Sequence, residues 1–431
     1  MEASGRQPTN DSINSVSYVP KYSSDPQLNI DLPTSSESLS GTAPSIMASE
    51  SGSDPAVAYL IFHHVDNANV QGDIPIYANA EFDLGRDQVS SILGINDGTI
   101  SKHHLRFHCV TYGVNDIAPI EPMVYVRGLS RHSARFSQKT PDGSNSTCFL
   151  QIGHSPVLLN HDDTLQLSAK ICIKYVAIPA GADERTRLGS AAAAEARSFE
   201  DQYIIVPRAL GVGGFATVFL AINTKARRQV ACKVVRLPKK PPVPNLGDWA
   251  KTKGRQSPAN EENAHIVRHR KKCQDLRREF EVLKGIDHPN IIRLEKAIYS
   301  TDHIYIFQEL VSGGDLLSYL ERKGGLDEPE AAVIVFQLLK ALEYLHGHGV
   351  VHRDIKPENI LLTSWRKGAR IVLTDFGQAR KLLDDGKMAK DTRAVSRMCT
   401  VVGTKGYAAP YVVESRLLIG LTDQTCTVKS I

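Results

Sequence analysis

The chain has 431 residues and a formal net charge of +4. That length predicts two or three domains, and so small a charge gives no basis for a direct nucleic-acid partner. Hydrophobic residues make up 42%, enough for buried cores. No apolar run reaches the length of a membrane span, and polar residues from Glu2 onward argue against a secretory signal. The seven cysteines Cys109, Cys148, Cys172, Cys232, Cys273, Cys399 and Cys426 form no C-x-x-C pair. They read as free thiols in a reducing compartment, cytosolic or nuclear.

In chain order, residues 1–54 are rich in Ser, Pro, Asn and Asp and lack periodic apolar residues. They are expected to form a disordered tail. Residues 55–178 change to short β-like runs such as VAYLIF, HLRFHCVTYG and KICIKYVAI, punctuated by Gly, Asn, Asp and Pro. This texture predicts a β sandwich. Residues 179–198 read as a linker with helical propensity in its alanines.

A second domain is expected over 199–431. It opens as strand, glycine-rich turn and strand in YIIVPRALGVGGFATVFLA, followed by the strand QVACKVVRL. An inserted loop is expected at 238–269, where PKKPPVP reads as flexible chain. A helix follows from Arg270, with Cys273, Leu276, Phe280 and Leu283 on one face. HIYIFQEL is a strand, and GGDLLSYLERKGG is a helix with Asp315 near its start. EPEAAVIVFQLLKALEYLHGHG is a long helix with Pro329 in its first turn. Its predicted core face includes Val333, Phe336, Leu339, Leu342 and Leu345. Sheet first and helices later predicts an α+β, two-lobed domain after an all-β one.

Two segments carry the chemistry: VVHRDIKPENILL from Val350 to Leu362, and LTDFGQAR from Leu373 to Arg380. Phosphoryl transfer needs the metal and phosphates held still and the attacking hydroxyl aimed. Asp354 would orient the hydroxyl, Asn359 and Asp375 would hold Mg2+, and Lys356 would neutralise the transferring group. The turn Gly211-Val212-Gly213-Gly214 lets backbone amides approach phosphates. Ala216 stands where a third glycine is usual. Lys233 lies on the following strand. Its carboxylate partner is Glu279 or Glu281. At about 100° per residue, Glu279 lies nearer the apolar face.

From about residue 203 to 410 the chain resembles a eukaryotic protein kinase, and Lys356 in HRDIKPEN places the resemblance in the serine/threonine subgroup. The resemblance implies ATP held by Gly211, Val212, Gly213, Gly214, Val218, Ala231, Lys233, Glu309 and Leu361. It implies that Arg353 receives a phosphate on the activation segment, with Thr400 as acceptor, Thr404 in the peptide-docking loop and Ser396 as the next candidate. It also implies that Asp315 and Glu358 contact a basic residue upstream of the phosphorylated site.

The β-rich region resembles a forkhead-associated (FHA) domain, a phosphothreonine-binding module. Gly85-Arg86 and the Ser101-x-x-His104 pattern carry the resemblance. It implies that Arg86 pairs with the phosphate, that Ser101 hydrogen-bonds it with Lys102 nearby, and that His104 braces the loops. His132, Ser133 and Ala134 replace the usual Asn-Gly-Thr; His132 can still donate to a peptide backbone. An FHA domain before a serine/threonine kinase resembles the checkpoint-effector kinases, most of all their fungal meiosis-specific members. That implies a nuclear enzyme using ATP and Mg2+, recruited to a phosphothreonine-bearing adaptor and transiently dimerising through FHA-mediated clustering. Its substrates would carry basic residues upstream of Ser or Thr.

The resemblance breaks at Ala409-Pro410-Tyr411, where tyrosine replaces a glutamate. The stretch from there to Ile431 contains no equivalent of the family's later helices. A truncated C-lobe is therefore expected, and with it an exposed apolar face on the long helix. The alternative reading is a phosphopeptide-binding module joined to an inactive kinase remnant.

Overall fold

The computed structural model describes residues 15–17, 55–112, 120–141, 143–179, 184–213, 216–237, 280–381 and 407. The first unit is a sandwich of two antiparallel sheets. One has six strands, in the order Asn67–Tyr77, Ala56–His64, Ile171–Ala177, Thr164–Gln166, Ala134–Lys139 and Asn145–Leu150. The other has four: Glu81–Leu84, Leu105–Val110, Met123–Gly128 and Val157–Leu158. Period-two alternation drives the packing. Along Ala56–His64, the residues Ala58, Leu60 and Phe62 are fully buried while their neighbours are not. They meet Phe107, Val124 and Val126 of the facing sheet in one core. Each large side chain so buried contributes roughly 1.5–3 kcal/mol.

The second unit begins with a six-stranded antiparallel sheet. Its order is Ser15–Ser17, Leu294–Tyr299, His303–Gln308, Arg228–Arg236, Ala216–Asn223 and Tyr203–Val212. Ser15–Ser17 lies inside the stretch expected to be a disordered tail, yet it pairs with Ile298, Ala297 and Lys296. An edge strand presents unpaired N–H and C=O groups that a short extended segment can satisfy without apolar periodicity of its own.

The expected linker also differs. Ser190–Ala196 is a helix packed on this sheet, with Ala192, Ala196 and Phe199 buried beside Tyr305 and Phe307. Tyr305 donates its hydroxyl to the Ala192 carbonyl at 2.9 Å, and Glu195 accepts from the Asp302 N–H at 2.8 Å. Alanines bring the helix close to the sheet, and Glu195 locks it. The alanine run is thus a packed element of the second unit.

Helices follow the sheet. Leu316–Lys323 is capped by Asp315, which accepts from Ser318 N–H at 2.8 Å, and ends at Gly324 with φ 75°. Glu328–Gly347 is capped by Asp327, with Pro329 in its first turn. Its buried side is Ile334, Ala341 and Leu345. The predicted core face is corrected at three positions: Val333, Phe336 and Leu339 are 41%, 61% and 57% exposed. The Lys340 ammonium lies 5.9 Å from the Phe336 ring centroid, and all three side chains stay open to solvent. Beyond these helices, two short hairpins pair Ile360–Leu362 with Ile371–Leu373, and Val350–Val351 with Arg380–Lys381.

Candidate active site and candidate phosphate-binding loops

The two hairpins present the catalytic string. Phe376 is fully buried and meets the His352 ring edge-on at 4.8 Å. Asp354 N–H donates to His352 Nδ1 at 3.3 Å, so the ring proton is on Nε2, which donates to the Thr374 carbonyl at 2.9 Å. Burial lowers the pKa of His352 and keeps that ring neutral. Thr374 N–H in turn donates to the Asn359 carbonyl at 2.9 Å. One histidine and one asparagine therefore fix the spacing between the two motifs.

Within this frame Asn359 Nδ2 donates to the Asp354 carbonyl at 2.7 Å and its carboxylate at 3.1 Å. That turns the Asn359 side-chain oxygen away from Asp354. Lys356 Nζ lies 3.6 Å from Asp354 Oδ2 and 3.9 Å from Glu358 Oε1. Asp375 has φ 61°, in the left-handed region, a strained backbone of the kind that clusters at functional sites. Lys233 reaches across from the sheet to Asp375 Oδ1 at 2.9 Å. That ammonium, together with the Gly377 N–H, holds the carboxyl of Asp375 below the usual range. A carboxylate and an amide oxygen are hard donors suited to Mg2+, which binds one or two protein oxygens and completes its shell with water and phosphate. The residues fit the ion. Among the described residues there is no cluster of three or more His, Cys, Asp or Glu for a softer metal.

Gly211, Val212, Val218, Ala231 and Lys233 fall along one sheet. Gly211 pairs with Val218, Val218 with Lys233, and Ala231 with Leu220 and Gln308. Gly213 N–H donates to the Ala216 carbonyl at 2.8 Å, and Val212 pairs with Thr217. Leu361 pairs with Val372 on the catalytic hairpin. Glu309 differs from a side-chain contact: its carboxylate accepts from Arg293 N–H at 3.2 Å and Arg370 at 3.1 Å. Its N–H also donates to the Arg293 carbonyl at 3.0 Å, which leaves its own carbonyl to face a nucleotide. Asp315 is a helix cap, as above, and Glu358 lies beside Lys356. Arg353 has φ 68° and donates through Nε to the Gln378 carbonyl at 2.8 Å. Gly214, Glu279, Ser396, Thr400, Thr404, Ala409-Pro410-Tyr411 and the loop 238–269 lie outside the described residues.

A second constellation sits at one end of the sandwich. Arg86 opens the helix Arg86–Leu93. It donates through Nε to the Ile100 carbonyl at 2.8 Å and through one terminal nitrogen to Gly98 at 3.0 Å. Its main-chain N–H donates to the Ser101 carbonyl at 3.0 Å. Ser101 N–H donates to His104 Nδ1 at 3.2 Å, while His104 N–H donates to Leu84 and its carbonyl accepts from Leu129. His104 thus ties three segments together. Burial, then the neighbouring His132, lowers its pKa. Ser101 Oγ is 2.7 Å from Ser130 Oγ and 3.4 Å from His132 Nδ1. Lys102 and His132 are exposed beside it. Ser130, nearly buried, also accepts from His132 N–H at 2.9 Å. It was missed from the sequence because a lone serine after Leu129 carries no spacing signal.

Residues 259–423 match the protein kinase domain family. The match takes in Asp354, Asn359 and Asp375; Lys233, upstream of it, contacts Asp375. The chain is 30% identical to the meiosis-specific serine/threonine-protein kinase MEK1 of Saccharomyces cerevisiae, over 81% of this chain and 63% of that protein. So large a share cannot fit after residue 198, so the similarity extends into the sandwich. It is 34% identical to the meiosis-specific serine/threonine-protein kinase mek1 of Schizosaccharomyces pombe, over 49% of this chain and 39% of the other. With the serine/threonine-protein kinase cds1 of the same yeast it shares 30% identity over 50% and 40%. The chain spans less than two thirds of the length of these relatives. It carries a protein kinase domain in its second unit and is similar to serine/threonine-protein kinases, two of them meiosis-specific.

Proposed function

We propose that the chain is a serine/threonine protein kinase using ATP and Mg2+, which acts in the nucleus in meiotic or checkpoint signalling. The observation that carries this reading is the contact of Lys233 with Asp375 at 2.9 Å, beside Asn359 and Asp354 held by two hydrogen bonds. The ion supplies charge neutralisation of the phosphates when bound, with Asn359 and Asp375 as its protein donors. Asp354 orients the substrate hydroxyl and accepts its proton. Lys356, within reach of Asp354, lies where negative charge spreads during transfer. Asp315 and Glu358 favour substrates with basic residues upstream. A phosphate on Thr400 would order the activation segment through Arg353.

The sandwich is proposed to bind phosphothreonine on an adaptor, through Arg86 and Ser101 with Lys102 and His132 alongside. Clustering on that adaptor would bring two copies together for activation in trans. Mg2+-dependent phosphate transfer from ATP to a basic Ser/Thr peptide, with the Asp354→Asn variant alongside, tests the enzyme. Transfer should fall about a hundredfold or more in the variant. No transfer by the unaltered chain refutes an active enzyme. It would favour the second reading, a phosphopeptide module with an inactive kinase unit, which the exposed Phe336 and Leu339 support.

A further inference from the structure

The sandwich does not hang free of the kinase unit. Val110, Met123, Tyr125 and Leu158 of its four-stranded sheet pack against Val206, Leu220 and Ile222 of the kinase sheet. Gln229, buried on the kinase side, extends its amide to the sandwich. Its oxygen accepts from Leu158 N–H at 2.6 Å, and its nitrogen donates to the Leu158 carbonyl at 2.9 Å. A side chain thereby completes a sheet edge as one peptide group of another strand would. Arg208 adds a bond to the Pro122 carbonyl at 2.6 Å. All of these contacts are to the first lobe.

A separate set reaches the segment that joins the two lobes, Glu309 to Asp315. His108, buried on the sandwich strand Leu105–Val110, bonds through Nε2 to the Ser312 carbonyl at 2.8 Å. A carbonyl only accepts, so Nε2 carries the proton. The His108 ring stacks on Tyr125 at 5.2 Å and meets Trp365 edge-on at 5.6 Å. Trp365 belongs to the loop of the catalytic hairpin. It donates to the Gly313 carbonyl at 3.0 Å, and the Arg322 guanidinium sits 3.7 Å from its ring. The column Tyr125, His108, Trp365, Arg322 runs from the sandwich past the connecting segment into the second lobe. Gly314, with φ 74°, faces the same strand: a Cβ there would lie 2.8 Å from Val110.

We propose that the sandwich is a brace spanning both lobes from behind the connecting segment, with His108 as the positioning residue that fixes that segment. Its consequence for catalysis rests on the kinase reading above, because the backbone held in place is the stretch that follows Glu309. Burial pushes the His108 pKa down to about 4, so the ring is a neutral donor at physiological pH. The lobes of such an enzyme move relative to one another about this segment, and a body attached to both limits that motion.

The test is amide hydrogen exchange on the full chain. Gly313 N–H, which donates to the Leu362 carbonyl at 2.8 Å, is the reporter. In His108→Ala its exchange should quicken about tenfold, the scale of one lost buried hydrogen bond. His108→Gln, which keeps a donor at about the same reach, should restore most of the protection. KM for ATP should follow the exchange, while kcat at saturating ATP changes little. If His108→Ala does not fold, Gln229→Leu loosens the same docking from the other side and should raise exchange at Gly313 as well. Unchanged exchange at Gly313 in both variants overturns the brace, whatever the activity. Absent turnover in the unaltered chain counts against the kinase reading instead and leaves the exchange result in force.

Discussion

Gly85→Ala should disable the proposed phosphate-binding loops by a purely steric route. The backbone at Gly85 is extended, with φ −153°, so alanine adopts it without strain. The obstacle is space. A Cβ there would lie 1.7 Å from the Lys102 carbonyl oxygen, 2.3 Å from its carbon and 2.8 Å from the Ser101 oxygen. Ordinary contact begins near 3.4 Å. All three neighbours are backbone, so no rotamer relieves the overlap and the Ser101–Lys102 segment must retreat by about 1.5 Å. Overpacking of this kind costs about 1–3 kcal/mol, and a rigid obstacle puts Gly85 at the upper end. Ser101 moves with that segment, away from Ser130 and Arg86. Loss of one charge-assisted contact, about 1.5–3 kcal/mol, weakens phosphopeptide affinity by about 10- to 100-fold. Gly98→Ala is the matched control: it lies at the same site beyond the helix Arg86–Leu93, a Cβ meets nothing within 4 Å, and its carbonyl still accepts from Arg86. Titration with a phosphothreonine peptide and a thermal melt of the full chain separate the two. Equal affinity and equal melting for both variants would show the reasoning to be wrong.

Asp315→Asn keeps the helix cap but removes the charge, so it should preserve stability and lose selectivity for basic substrates; Asp315→Ala should in addition cost about 1 kcal/mol of stability, as paired melts and peptide arrays would show. The folded pKa of His108, about 4, lies below its ordinary 6.5. Burial is the largest cause, opposed by the Ser312 carbonyl and reinforced by Arg127, Arg106 and Arg322. The unfolded chain therefore binds more protons between these values, and stability falls as pH drops from about 6.5 through 4. In melts across that range His108→Gln should lack this component; a parallel pH slope in both proteins would contradict it. Phe336→Glu with Leu339→Lys should reduce self-association of the 431-residue chain without lowering its melting temperature, because both side chains are more than half exposed. Light scattering reads this directly, and unchanged association would place the sticky surface elsewhere.

The catalytic string was legible because its parts lie close in sequence: His352, Asp354, Lys356 and Asn359 share one loop, and Asp375 follows within one hairpin. The sandwich was legible from period-two runs such as Ala58, Leu60, Phe62. Gly85-Arg86 and Ser101-x-x-His104 stood out as patterns because the contacts they make are between residues near in the chain. Three features were not legible. The alanine helix at Ser190–Ala196 looked like a linker, because alanine carries helix propensity but no apolar bulk to announce a packed face. The pairing of the Glu309 carboxylate with Arg370, far along the sequence, has no local signal. His108 and Gln229 find partners across the two units, and no local pattern marks a residue whose role is set by a distant fold.

The helix Ser190–Ala196 gives the brace a kinetic character. Glu195 and the buried Ala192 and Ala196 fasten this helix to the kinase sheet, while Ile178 is tied to the sandwich through Val57. Residues 179–189 join these two points, and Leu188 among them packs on the kinase sheet as well. A connection that short keeps a detached sandwich at an effective concentration in about the millimolar range beside its seat. Docking is then a unimolecular event, in which modest contacts suffice for near-complete occupancy and release is followed by prompt return. A ligand competing for the seat would have to outbid this tethered copy, whereas a ligand on the Arg86 and Ser101 loops meets no such contest.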